Sequence, residues 1–259
     1  MSADVRGRAH LVVRGVAYDA CRVTRWDDPA CWYDVMNPWG PSDDFYLDLV
    51  MGTSSVLDVG CGTGTLLRRA RAGGHAGRLC GLDPDPGMLT QAQDQPGIEW
   101  VLADAASAAW DREFELAVMT SHAFQVFVAD DELRRSLRAI RAALVDGGRF
   151  AFETRNPKAR AWEGWDTSYA VRNPEGDTVR VTYAVHDVDG DLVRLSETLS
   201  GRWWTEDQTS DGVLRFLAAD ALAAFLEDAG FSIEEQFGDW DRGPVMNASE
   251  EIITIARRG

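Results

Sequence analysis

Short apolar runs alternate with amphipathic stretches through the first two thirds of the chain, and that alternation predicts the fold. "SVLDVG" (55–60), "RLCGLD" (78–83), "IEWVLAD" (98–104), "FELAVMTS" (114–121) and "RFAFETRN" (149–156) read as five strands. They are nearly continuous in apolar residues, as strands covered on both faces must be. "TGTLLRRARAG" reads as a helix ending at Gly73-Gly74, and "PGMLTQAQD" as a helix with its proline near the start. In "DDELRRSLRAIRAALVDGG", Leu133, Leu137, Ile140 and Leu144 fall on one helical face, with Gly147-Gly148 as the stop. Strands alternating with helices predict an α/β core over 51–157, a doubly wound, Rossmann-like parallel sheet.

The flanks read differently. Residues 1–50 are aromatic-rich and mostly helical in pattern, interrupted by Pro38 and Pro41, with Ser42 placed to cap a helix from about Asp43. They form the expected N-terminal helical lid. After Pro157, "DTVRVTYAVHD", "DLVRLSETL", "GRWWTED" and "VLRFLA" are strand-like, with a turn at "DVDGD". That predicts an antiparallel β insert over 158–217. Residues 218–259 return to the core: "AADALAAFLEDAG" as a helix stopped by Gly230, then "FSIEEQF" and "EEIITIARR" as a strand pair on the sheet edge, completing a seven-stranded, mostly parallel sheet.

Composition narrows the partners. The 259 residues carry a formal charge of −16, which repels phosphate backbones and argues against nucleic acid. No apolar run approaches a membrane span, so no membrane partner is expected. "MSADVRGRAHLVV" is too charged and broken for a secretory signal. Cys21, Cys31, Cys61 and Cys80 form no C-x-x-C pair, so no metal is expected and a reducing cytoplasm fits.

The chemistry gathers at the strand ends. Gly60, Gly62 and Gly64 follow the first strand as G-x-G-x-G, either closing a tight turn or letting a ligand lie on bare backbone. The dinucleotide fingerprint needs its third glycine one place later, where Thr65 stands. Asp83 ends the second strand, where a carboxylate accepts ribose hydroxyls. Asp104-Ala105 ends the third and offers a carboxylate beside a backbone N–H, suited to the amino edge of adenine. The fourth strand ends "MTSHAF", so four consecutive strand ends carry polar groups suited to one adenosine ligand.

In the order and spacing of "VLDVGCGTG", "GLDPDPGML", "ADAA" and "FELAVMTSHAF", the chain resembles the class I S-adenosylmethionine-dependent methyltransferases. "LRAALVDGGRFAFET" resembles that family's helix, glycine turn and fifth strand. The resemblance implies S-adenosylmethionine as cofactor and a role for each matched residue. Gly60, Gly62 and Gly64 would admit the methionine portion and ribose, with Cys61 a small filler in that turn. Asp58 would hold the loop and the amino-acid end. Asp83, with Pro84 beside it, would bind the ribose, and Met88 would pack on adenine. Asp104 and Ala105 would contact the adenine edge. Thr120 and His122 would line the cofactor near its sulfonium.

Methyl transfer from a sulfonium is an in-line displacement, so the protein must chiefly align the acceptor and exclude water. His122 is a candidate base or an orienting group, and Gln125, one turn on, a candidate contact to a polar acceptor. Arg155 and Asn156 could meet a substrate carboxylate or phosphate, or simply open a turn. In "CWYDVMNPWG", Tyr33 and Trp39 offer aromatic faces to a sulfonium or ammonium. The branch of the family acting on amino groups of small molecules, including nucleotide-linked amino sugars, has a similar Tyr-Asp segment over the cofactor and a similar insert. Trp162, Trp165, Trp203 and Trp204 wall a flat pocket or, more often, pack a small sheet or a dimer contact. The expected activity is methylation of a small molecule at nitrogen or oxygen. Rivals are a non-catalytic S-adenosylmethionine-binding regulator and a nicotinamide-dependent oxidoreductase, the latter without a Tyr-x-x-x-Lys pair.

Overall fold

The strand runs pair in the order that buries them most completely. The computed structural model describes residues 26–92 and 96–259. Cys21, the first half of the N-terminal segment and the Gln93-Asp94 end of the second predicted helix lie outside the described residues.

β1 (Ser55–Val59), β2 (Arg78–Asp83), β3 (Glu99–Leu102), β4 (Phe114–Met119) and β5 (Leu144–Arg155) run parallel. β11 (Glu251–Arg258) runs antiparallel to β5, and β10 (Phe231–Phe237) pairs antiparallel with β11 and so shares the direction of the parallel strands, giving the order β10-β11-β5-β4-β1-β2-β3. The expected seven-stranded, mostly parallel sheet is present. β11 lies between β5 and β10, so the last two strands are the expected antiparallel pair on the sheet edge, joined by the long 238–250 connection. Chain order reverses between β2-β1 and β1-β4, and in open α/β sheets ligands bind beyond the strand ends at such a point.

α3 (Thr65–Ala72) and α2 (Pro41–Met51) cover one face of the sheet; α5 (Asp130–Ala143) and α6 (Ala219–Asp228) cover the other. Pro41 does not interrupt α2. It opens the helix, and the Asp43 carboxylate accepts the Gly40 N–H at 2.8 Å, the capping role expected of Ser42. α5 buries Leu133, Leu137 and Ile140 as spaced. It ends at Ala143, before the predicted glycines, because Leu144 already pairs with Phe114 in the sheet. Gly147-Gly148 instead lies within β5, where its register to β4 shifts. α4 (Pro86–Ala92) follows β2.

The insert is a separate four-stranded antiparallel sheet: β6 (Thr167–Arg172), β7 (Thr178–Asp189), β8 (Leu192–Ser200) and β9 (Gln208–Arg215), in that order. β6 carried no prior signal, and "GRWWTED" is a turn rather than a strand. Its two tryptophans point at the lid instead. Trp203 meets Trp32 edge-on at 5.0 Å, and the Trp204 Nε1–H donates to the Asp27 carbonyl at 2.8 Å. Trp32 is fully buried and donates to the Trp26 carbonyl at 2.9 Å. Trp162 and Trp165 pack on Phe216. The aromatic residues therefore bind insert to lid as a third core. Among the described residues no helix is long and apolar enough to cross a membrane.

Candidate active site

The glycine loop leaves β1 in a conformation only glycine adopts cheaply. Gly60, Gly62 and Gly64 have φ of +74°, +54° and +73°. The Asp83 carboxylate fixes this loop: one oxygen accepts the Gly62 N–H at 2.7 Å and the other the Asp85 N–H at 2.9 Å. Asp83 therefore has a structural duty besides the one expected of it, and its spare lone pairs face the cleft.

That cleft has two lobes. The first, about 500 Å³, is lined by Tyr33, Asp58, Gly62, Asp83, Met88 and Thr120 among others. Trp39 and Cys61 also line it. The second, about 310 Å³, is lined by Pro84, Asp104, Ala105, Phe127 and a stretch of the insert. Gly60 and Ala123 line both and mark the passage. A Cβ on Gly60 would lie 3.3 Å from the Ala123 Cβ, so a side chain there would narrow the passage. Gly64 has a different role. It faces the interior, where a Cβ would fall 2.3 Å from the Trp100 ring, and it lines neither lobe.

The lid is pinned to the loop by a residue whose role the sequence did not disclose. Asp34, on α1 (Tyr33–Met36), accepts hydrogen bonds from Thr63 (2.5 Å), Thr65 (3.2 Å) and Arg68 (3.2 Å). The only local signal was the threonine spacing in "GTGT". This latch carries Tyr33 over the first lobe, with Ser121 as its hydroxyl's partner. Burial first, then the charges of Asp34, Asp83 and Glu197, push the Tyr33 phenol above its ordinary range, so it keeps its proton. Trp39 reaches the cleft, but the Arg69 guanidinium sits 4.1 Å over its ring and takes one aromatic face.

Four expected site residues are corrected. His122 lines neither lobe. Its Nε2 meets the Glu251 carboxyl at 2.9–3.0 Å, and burial, aided by the Arg155 charge, pushes its pKa down to about 3. A histidine so disposed against protonation is a poor base. Its backbone does the work here: Ser121 and His122 are both left-handed (φ 56° and 60°), and the His122 N–H donates to Glu153 at 2.7 Å. Glu153 also accepts the Tyr46 hydroxyl. That buried pair holds the turn presenting Thr120 and Ser121.

Gln125 is 1 % exposed; it donates to the Arg215 carbonyl at 3.0 Å and accepts from Arg155 at 2.9 Å. Arg155 lies 2 % exposed with its guanidinium 5.0 Å over Trp165. Asn156 donates to the Met246 and Ser249 carbonyls. These three line neither lobe and join β5 to the insert, the lid side and the 238–250 loop.

Asp58 is a strongly perturbed carboxyl in the cleft. It is 1 % exposed, Oδ1 has no partner, and burial, then Asp83 and Glu153, push its pKa up to about 8. The folded carboxyl thus holds its proton to about pH 8, while the unfolded one loses it near 3.8. The folded state binds more protons in that window, so this contribution to stability is full below about pH 4 and is lost as pH rises to 8. Denaturant unfolding of the cofactor-free chain at pH 5 and pH 8 is expected to show a larger loss for wild type than for Asp58→Asn. An identical pH response in the two proteins would reject the assignment.

Residues 56–148 match the family model of a methyltransferase domain. They form a class I methyltransferase domain. The expected resemblance is thereby borne out, and so is the fold. No curated protein sequence matches the chain. Similar solved structures include a S-adenosylmethionine-dependent methyltransferase from Clostridium acetobutylicum (17 % identity, 88 % of this chain and 96 % of that one, TM-score 0.72). The sugar N-methyltransferase KedS8 from Streptoalloteichus is 20 % identical over 96 % of this chain and 99 % of its own (TM-score 0.71). S-adenosylmethionine-bound CalS10, an amino pentose methyltransferase from Micromonospora echinaspora, is 20 % identical over 94 % and 100 % (TM-score 0.67). At these identities the likeness is one of fold. The three chains are matched almost end to end, so the lid and insert that flank this methyltransferase domain are part of the shared architecture.

Proposed function

We propose that the protein transfers the methyl group of S-adenosylmethionine to an amine nitrogen of a small molecule, an amino sugar being the first class to test. The observation that carries the reading is the acidic, lid-covered first lobe. Asp34, Asp43, Asp58, Asp83 and Asp85 line it against Arg68 and Arg69. Such a lining favours positively charged groups, both a sulfonium and an ammonium.

The chain fits the cofactor on its own evidence. The partnerless Asp58 Oδ1 lies at the loop where the amino-acid end would rest, and the bare backbone of Gly60 and Gly62 leaves room for it. Asp83 would accept the ribose hydroxyls, and Asp104 with Ala105 would meet the adenine edge in the second lobe. When bound, S-adenosylmethionine supplies a methyl group on an already activated leaving group. The protein's part is then alignment and exclusion of water. The Asp34 latch closes α1 over the glycine loop, Tyr33 keeps its phenolic proton at Oη, and the Glu153-held turn fixes Ser121 beneath it.

The preference for nitrogen follows from proton bookkeeping. An unactivated hydroxyl needs a strong base, yet His122 is turned away and Tyr33 keeps its proton, which leaves only carboxylates. An ammonium drawn to the lobe is far more acidic than an alcohol, so a lining carboxylate or water suffices to take its proton before attack. The sugar N-methyltransferase and the amino pentose methyltransferase among the similar structures support the same class. Among the described residues, the buried thiols of Cys61 and Cys80 support placing the protein in a reducing cytoplasm. The test is labelled methyl transfer to a nucleotide-linked amino sugar and to its hydroxyl analogue. Methylation of the amine alone is expected; equal or preferential labelling of the hydroxyl would overturn the choice of nitrogen.

A further inference from the structure

Helix α5 carries one residue that its own chain does not explain. Ser136 lies on the core face beside Leu133 and Leu137, 1 % exposed, and its Oγ has no hydrogen-bond partner among the described residues. An alanine there would raise helix propensity and remove the desolvation cost of an unpaired hydroxyl. The residue nevertheless lines the second lobe of the cleft, together with the Asp104-Ala105 strand end.

The remaining wall comes from the insert. Asp211, Gly212 and Val213 of β9 line the same lobe. β9 is the edge strand of its sheet, paired on one side to β8. The Gln125 side chain ties its end to the β4 turn through the Arg215 carbonyl. Ala105, Val126, Phe127 and Val213 give the lobe apolar walls, while Asp104, Glu132, Asp211 and Ser136 supply its polar groups. Asp104 uses Oδ1 to accept the Ser107 N–H at 2.9 Å, which leaves its second oxygen for a ligand. Apolar walls with carboxylate acceptors at the rim suit a flat heteroaromatic ring bearing an amino group.

We infer that α5 and the insert strand β9 complete the adenine end of the cofactor site, with the Ser136 hydroxyl as a polar contact to the base. This rests on the cofactor reading above. It makes the insert part of the cofactor's own site as well as a cover for the lid. It also gives Ser136 a partner that the folded chain alone does not provide.

The test uses the full chain, with S-adenosylmethionine and adenosine as separate calorimetric probes. Ser136→Ala is expected to weaken both by about three- to tenfold, the size of one hydrogen bond. Without ligand, its thermal midpoint should equal or exceed that of wild type, because an unpaired hydroxyl has been removed. A merely structural serine would lower the midpoint and leave affinity alone. Hydrogen exchange should slow at Gly212 and Val213 when S-adenosylmethionine is added. Wild-type affinity of Ser136→Ala for both probes would overturn the role of Ser136, and unchanged exchange in β9 would overturn that of the insert. Binding of neither probe by the folded wild type would instead bring down the cofactor reading itself, and this inference with it.

Discussion

Asp83→Ala is expected to weaken S-adenosylmethionine binding at least about 100-fold while leaving the chain folded. Two losses combine. The carboxylate would accept the ribose hydroxyls, and charge-assisted hydrogen bonds of this kind contribute roughly 1.5–3 kcal/mol each. It also braces the glycine loop through the Gly62 N–H, so its removal frees the backbone on which the amino-acid end would rest. Asp83→Asn separates the two effects. It retains one acceptor oxygen and should fall between wild type and alanine. Calorimetric titration with circular dichroism as the folding control checks this. Near-wild-type affinity in a folded Asp83→Ala protein would remove the ribose assignment, and with it the main support for the orientation of the cofactor.

The second large effect is one of stability. Gly64→Ala is expected to destabilise the protein by about 2–5 kcal/mol. Gly64 stands at φ +73° before the first residue of α3, and a left-handed alanine costs roughly 1–2 kcal/mol. The new Cβ would also meet Trp100 at 2.3 Å and Ala92 at 3.2 Å, and overpacking of this kind costs about 1–3 kcal/mol. Adding Trp100→Leu should return the overpacking part and none of the backbone part. The double-mutant cycle, read by chemical denaturation, therefore expects a positive coupling smaller than the full cost of Gly64→Ala. A Gly64→Ala protein as stable as wild type would show that the loop can relax, and that the third glycine is not required by packing.

These two residues also mark how far local reading reached. Both were visible as chemistry at strand ends, but their duties differ from what spacing alone implied. Gly64 serves the packing of α3 against β3, and Asp83 serves the loop as well as the cleft. Asp34 was overlooked because its partners Thr63, Thr65 and Arg68 lie far along the chain, joined only when the lid folds back. β6 was missed because its exposed polar residues leave little alternation to detect.

By itself the sequence determined the succession of strands and helices, the place of the glycine loop and the acidic residues at the ends of β2 and β3. Each depends on periodicity or on a few adjacent residues, and such signals survive without tertiary context. Only the tertiary structure decided which way the remaining polar side chains turn. His122 meets Glu251 across 129 positions, and Tyr46 meets Glu153 across 107. Gln125 and Arg155 become partners because β11 enters beside β5 and the insert closes over the β4 turn. A buried polar group goes where its hydrogen bonds are made, and those partners are set by strand register and layer packing, which no local stretch of the chain encodes.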